Sequence, residues 1–345
     1  VIANMIGAGI FTTSGLLMGD LGDPWMLMLL WVVGGILALC GALSYGELGA
    51  AMPQAGGEYN FLSKLFHPIH GFLSGWVSFI VGFSAPIAAS AIGFSEYFFR
   101  AFPQMAPFFN LPEAGLKKMA AIAVILLFSA VHLRGIKFGA KVQNYLTLLK
   151  VGLVVGLIFA GFLLGKGELS HFSQGEALSS GFGSWKTAGL SLMWIMFAYS
   201  GWNASVYIGS EIKDPKKNLA RSLLYGTGIV MLLYLLLNVL FIYAIPPVDM
   251  KGVIAIGGLA VYNLFGGTTD TVISILISFA LFSSLSAFII LGPRVYFAMA
   301  KDGYFFKFLA QVHPIFKVPS KAILIQALLS IILVLTGTFD QILTY

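Results

Sequence analysis

The chain has 345 residues, of which 58% are hydrophobic and only 10% are charged. A soluble globular chain carries roughly a quarter charged residues, so that class is excluded. The net charge of +6 is spread over short connections between apolar stretches, a pattern of membrane topology that speaks against a nucleic-acid partner.

In chain order, membrane-crossing stretches are predicted at 1–18, 25–51, 70–99, 118–134, 142–165, 187–209, 222–245, 271–299 and 322–337, with a tenth beginning at 339–345. The expectation is one transmembrane domain over 1–345: an all-α integral membrane protein, multi-pass in the cell membrane, with the lipid bilayer as its first partner. No initiator methionine is present, only six residues precede Gly7, and the last stretch stops at Tyr345. The chain therefore reads as truncated at both ends. Placing 52–69, 134–141, 210–221 and 294–321 on one side gives that side thirteen basic residues against six on the other. The basic side is predicted to be cytoplasmic, with a cytoplasmic N-terminus. The amphipathic 52–69 and the segment 302–318 are expected to lie along that surface.

Two stretches are interrupted. The first contains Ile6-Gly7-Ala8-Gly9-Ile10, and the sixth contains Phe197-Ala198-Tyr199-Ser200-Gly201-Trp202-Asn203. Each glycine destabilises a helix by about 1 kcal/mol relative to alanine. In lipid, unwound backbone is tolerated only where it is buried in protein or lines a cavity. The breaks lie five spans apart, and an odd number of spans per repeat inverts the second copy, here 1–165 against 187–345. Interrupted helices at matching places in inverted repeats point to a transporter site. Such a break suits a zwitterion: half-helix N–H groups meet a carboxylate, and released carbonyls meet an ammonium. Taken singly, either Gly-rich segment is equally a close-packing surface.

Among single residues, Lys150 is the one charge well inside a span, about 12 Å from the basic end. It either snorkels toward that end or faces the interior and finds oxygen partners. Asn203 either holds the unwound segment, touches substrate or packs between helices. Tyr199 and Trp202 form a gate or simply pack. Ser283, Ser284 and Ser286 line a cation or substrate site or bond their own backbone. Glu47, Glu58 and Glu211 read as inner-gate or structural ion-pair groups. Glu96 is the one carboxylate placed to approach a cavity.

Cys40 is the only cysteine, and the five histidines show no metal spacing, so no metal site is expected. No Walker loop or Gly-x-Gly-x-x-Gly fingerprint occurs, so no cofactor is expected and a primary pump is excluded. An intramembrane hydrolase would need a histidine beside a serine at membrane depth. His132 is the only candidate and has no acid partner in view, so no catalytic residue is assigned.

Five segments in order along nearly the whole chain carry a resemblance. They are Gly7-Ala8-Gly9-Ile10-Phe11; Ala42–Leu48 with Met52–Tyr59; Phe197–Asn203; Glu211–Leu219; and Arg294–Gly303 with His313-Pro314. On these the chain resembles the amino acid–polyamine–organocation (APC) permeases, most closely the bacterial and L-type amino-acid branch. The resemblance implies a five-plus-five inverted-repeat fold with discontinuous first and sixth helices. It implies an amino-acid substrate whose carboxylate meets N–H groups near Gly7 to Ile10 and whose amine meets carbonyls near Phe197 to Tyr199. It also implies that Lys150 replaces a bound sodium, bridging the Gly7–Gly9 backbone and Ser284. Sodium-independent uptake or exchange of neutral amino acids follows, with polyamine or cationic amino-acid antiport as the alternative. Some relatives pair through an outer-loop cysteine with a glycoprotein. Cys40 lies within a span, so an accessory subunit is not supported.

Overall fold

A computed structural model describes residues 1–105, 112–175, 182–266 and 270–337. Its main elements are α1 (Ile2–Met5), α2 (Gly9–Leu21), α3 (Pro24–Ala51), α4 (Glu58–Leu65), α5 (Pro68–Val77), α6 (Ala85–Ala101), α7 (Glu113–Leu133) and α8 (Ile136–Leu164). They continue as α9 (Phe182–Tyr199), α10 (Ala204–Tyr207), α11 (Pro215–Ala244), α12 (Pro247–Met250), α13 (Ile256–Phe265), α14 (Asp270–Lys301) and α15 (Ser320–Thr336). Among the described residues every regular element is helical. By length and composition, α3, the run from α5 through α6, α7, α8, α11 and α14 can each cross a membrane. The tenth stretch, expected at 339–345, lies outside the described residues.

Helix starts follow local chemistry. Asp23 caps α3 by accepting from the Met26 N–H at 2.6 Å, with Pro24 in the first turn, where a missing N–H costs nothing. Pro68 and Pro215 open α5 and α11 in the same way. Between α5 and α6, Ser78–Ser84 is π-helical, and the Ala85 N–H reaches back to the Ile80 carbonyl. Pro86 follows immediately and has no N–H to continue the ordinary ladder.

Small residues let the long helices close on one another, as expected where lipid supplies no hydrophobic drive between helices. A methyl on Gly46 of α3 would stand 3.1 Å from the Ala220 Cα of α11, and one on Gly49 would meet Leu219. The alanines Ala85, Ala88, Ala89 and Ala91 form the buried face of α6.

Interhelix connections sort onto two faces. On one, Gly209 abuts the Pro53 carbonyl, Gly135 abuts that of Phe316, and Tyr59 reaches Asp302. This face carries the lysine- and arginine-rich connections and is called the basic face below. On the opposite face, the Lys166 N–H bonds to the Leu264 carbonyl at 3.1 Å and that of Glu168 to Tyr243 at 2.9 Å. There the α12–α13 connection lies across α2: the Gly252 N–H donates to the Gly15 carbonyl at 2.9 Å, and the Val253 carbonyl presses on Gly15.

Candidate functional site

The chain unwinds at the two places where glycines interrupt the apolar runs. Helix α1 ends at Met5, Ile6 is extended with ψ 98°, and α2 restarts at Gly9 without a side-chain cap. The Phe11 N–H turns back to the Ala8 carbonyl at 2.9 Å, so it is the Gly9 and Ile10 N–H groups at the start of α2 that lack intrahelical partners and carry the positive end of its dipole. Helix α9 ends at Tyr199 and α10 restarts at Ala204. Between them Gly201 takes φ +94°, a conformation open to glycine and strained for other residues.

The breaks touch. Gly9, where α2 departs, packs on Ala198, where α9 arrives: a methyl on Gly9 would lie 3.1 Å from the Ala198 Cα. The two half-helices thus meet with opposed chain directions. The Asn4 side chain donates to the Gly201 carbonyl at 3.5 Å.

Carbonyls released at the first break are taken up by other helices. Lys150 of α8 is 1% exposed. Its ammonium donates to the Ile6 carbonyl at 2.7 Å, the Ala3 carbonyl at 3.1 Å and Ser284 Oγ at 2.9 Å. Ser284 of α14 itself lies 3.0 Å from the Ile6 carbonyl and 3.2 Å from that of Ala3. Tyr234 of α11 places its hydroxyl 2.7 Å from the Met5 carbonyl and 3.3 Å from the Ala198 carbonyl, so one side chain touches both breaks. A buried ammonium is costly unless fully paired, and three oxygens within 3.1 Å pair this one.

Several expected placements shift. Lys150 faces Ala3 and Ile6 rather than Gly7–Gly9, because an ammonium needs acceptors and the glycines at the start of α2 present donors. Asn203 turns away from the break, donating to the Glu58 carboxylate and lying 3.1 Å from the Tyr207 hydroxyl. Tyr199 is fully buried, its hydroxyl 3.2 Å from the Trp31 carbonyl and its ring against Trp31 and Tyr234. Trp202 lies over Gly41 and edge-on to Tyr45 at 4.9 Å. The Phe197 side chain is 59% exposed on the outside of the bundle, and only its backbone, accepting from Ser200 N–H at 3.0 Å, belongs to the break. Ser283 is buried with its hydroxyl unpartnered, while its carbonyl accepts from Gln143 at 3.2 Å.

The remaining carboxylates and His132 are placed as follows. Glu211 and Arg294 form a bidentate pair at 3.0 and 3.1 Å. Glu96 lies 2.6 Å from Lys117 near the opposite face. Glu47 is exposed. His132 does meet a serine, Ser286, at 2.9 Å. Its other ring nitrogen faces Gly139 and has no carboxylate beside it among the described residues.

Gly7 behaves differently from the other glycines of the breaks. Its φ is not positive, and a methyl there would meet only Ser284 Oγ, at 4.0 Å. Neither strain nor crowding requires glycine, and what it leaves is open space beside the uncapped start of α2. From the basic face, a cavity of about 490 Å³ runs in between α1, α8, α10, α11 and α14. Its lining includes Ala3 and Asn4 at the break, the Glu211–Arg294 pair, Gln143 and Thr147.

Sequence reasoning missed Asn4 and Tyr234. An amide inside an apolar span three residues before Gly7 was a readable signal for the first. A tyrosine in a membrane helix is too ordinary to mark the second.

The profile of the amino acid permease family matches residues 1–344. The serine/threonine exchanger SteT of Bacillus subtilis is 31% identical over 349 residues, covering 99% of this chain and 76% of that protein. The large neutral amino acids transporter small subunit 2 of Mus musculus is 28% identical, with 100% of this chain and 64% of that protein covered. The b(0,+)-type amino acid transporter 1 of the same species is 26% identical, with 100% and 70% covered. The chain thus spans about two thirds to three quarters of the length of these relatives.

Proposed function

The chain belongs to the amino acid permease family, a family of transporters and not of enzymes, and on that premise we propose that it carries neutral L-amino acids across the cell membrane by alternating access. Transport is sodium-independent, as uptake or exchange. The observation that carries this reading is Gly7, whose open space adjoins the unpartnered N–H groups of α2. The substrate carboxylate sits there, and its ammonium reaches carbonyls of the second break from Phe197 to Gly201. Lys150 and Ser284 supply an amine donor and a hydroxyl between α1 and α14, where a cation-coupled transporter would hold sodium.

The basic face is the cytoplasmic one, so the cavity is the inner path and the α12–α13 connection closes the outer path. The repeats are 1–165 and 187–345, inverted about the paired breaks. Neutral substrates are favoured because Glu96, the carboxylate on which cationic or polyamine antiport rested, is engaged by Lys117. The mouse relative's name marks it as a subunit, which leaves room for a partner of this chain as well. Cys40 on α3 speaks only against a disulfide route to one.

Full-length protein in liposomes, supplied with labelled amino acids with and without a sodium gradient, tests this reading. Saturable movement of neutral amino acids, equal with and without sodium, is the expected result. Movement of only polyamines or cationic amino acids, or of nothing, contradicts it.

A further inference from the structure

Three of the segments singled out in the sequence meet at the basic face. The turn before α4 bends through Gly56 and Gly57, at φ +118° and +54°. It wraps the end of α10: the Gly56 N–H donates to the Tyr207 carbonyl at 3.2 Å, and a methyl on Gly57 would stand 2.6 Å from the Tyr207 ring. The next residue, Glu58, accepts hydrogen bonds from the Asn203 amide and the Tyr207 hydroxyl. Among the described residues no lysine or arginine pairs with it. Tyr59 then donates to Asp302, just past the end of α14, at 2.8 Å. Burial and that bond hold its hydroxyl well above the ordinary phenol range, so it stays a donor. Neighbouring residues on a helix point about 100° apart, and here they hold two different elements.

We propose that Glu58 is a positioning residue for transport: it sets the angle at which α10 leaves the second break, and Tyr59 refers that angle to α14. This rests on the transport reading above. The geometry supports it in two ways. Helix α10 has only four residues, too few to hold its own direction, and its Ala204 and Ser205 line the cavity. Just beyond α10, in the turn Gly209–Glu211, the chain is tied to α14 ionically through Glu211 and Arg294. Opening the bonds to the half-buried Glu58 leaves no cation unpaired, whereas opening the Glu211–Arg294 pair strands a buried guanidinium. Glu58 is thus the releasable half of a two-point clasp, and its release widens the cavity without touching the substrate's contacts.

The test uses full-length protein in liposomes with every native cysteine, Cys40 included, replaced by serine, and Ala287→Cys on α14 as reporter, a cavity-lining position that is 6% exposed. Labelling by a membrane-impermeant maleimide from the basic face is measured beside amino-acid exchange. Glu58→Ala is expected to speed labelling and lower Vmax by about fivefold each, with KM within about twofold. Tyr59→Phe should act in the same direction, and Glu58→Gln, which keeps one acceptor oxygen for the two donors, should fall between Glu58→Ala and the parent. Parental labelling and Vmax in both Glu58→Ala and Tyr59→Phe overturn the proposal, as does a change confined to KM. If Glu58→Ala does not fold, Tyr59→Phe and Asn203→Ala decide by the same readouts. A parent that exchanges no amino acid defeats the transport reading instead, while labelling still judges the clasp.

Discussion

The two helix breaks are built from similar residues but held in different ways. At the first, the Ala3, Met5 and Ile6 carbonyls are met by Lys150, Ser284 and Tyr234 from three separate helices. The second relies mainly on its own backbone: Gly201 at φ +94°, a turn from Ala204 N–H to the Gly201 carbonyl at 3.2 Å, and only long contacts from Asn4 at 3.5 Å and the Tyr234 hydroxyl at 3.3 Å. Its strongest side-chain tie is at its far end, from Asn203 to Glu58. A break braced from outside behaves as a fixed socket. One held by local backbone and a releasable neighbour behaves as a hinge. Similar unwound segments thus supply the fixed and the moving parts of one site.

Substitutions can break or sharpen that contrast. The largest effect belongs to Lys150→Ala, which leaves the buried Ala3 and Ile6 carbonyls with a single Ser284 hydroxyl proton between them. Charge-assisted bonds are each worth about 1.5–3 kcal/mol, so exchange should fall by about a hundredfold or more. A Lys150→Ala protein exchanging near the parental rate would show that the socket needs no brace. Next comes Gly201→Ala, which meets both the positive φ and the Asn4 side chain. About 1–2 kcal/mol of strain predicts roughly a tenfold lower Vmax, partly recovered by adding Asn4→Gly. No recovery would mean that Asn4 does not shape the hinge.

Tyr234→Phe removes the one hydroxyl shared by the two breaks. About 1 kcal/mol for a lost neutral hydrogen bond predicts roughly a fivefold fall in exchange, and an unchanged rate would uncouple the breaks. Ser284→Ala is the mildest, about twofold to threefold, because Lys150 keeps both carbonyls. A loss matching that of Lys150→Ala would transfer the brace to the serine.

Much of this was readable from the chain alone. Both breaks were visible because Gly7 with Gly9, and Gly201 among small polar residues, interrupt apolar runs at matching places five spans apart, and Lys150 was visible because a lone charge in a span must find oxygens. Direction was the hidden part. Whether a lysine meets carbonyls at Ala3 and Ile6 or glycines further on depends on how far α1 continues before unwinding, which residue type does not encode. The same holds for Asn203, whose amide suits substrate or Glu58 equally until the turn at Gly56-Gly57 brings the carboxylate beneath it. Tyr199 could be read only as a gate or a packing residue, because aromatics that pack and aromatics that close a path have the same composition.

The central claim is that the space beside Gly7 receives the substrate, and Gly7→Ala in full-length protein tests it most directly. A methyl has room, with its nearest neighbour 4.0 Å away, so the thermal midpoint should stay within about 2 °C of the parent. The account predicts that KM for the transported amino acid nevertheless rises about tenfold, the equivalent of about 1.4 kcal/mol of binding. A KM equal to the parent's, with folding intact, would contradict it.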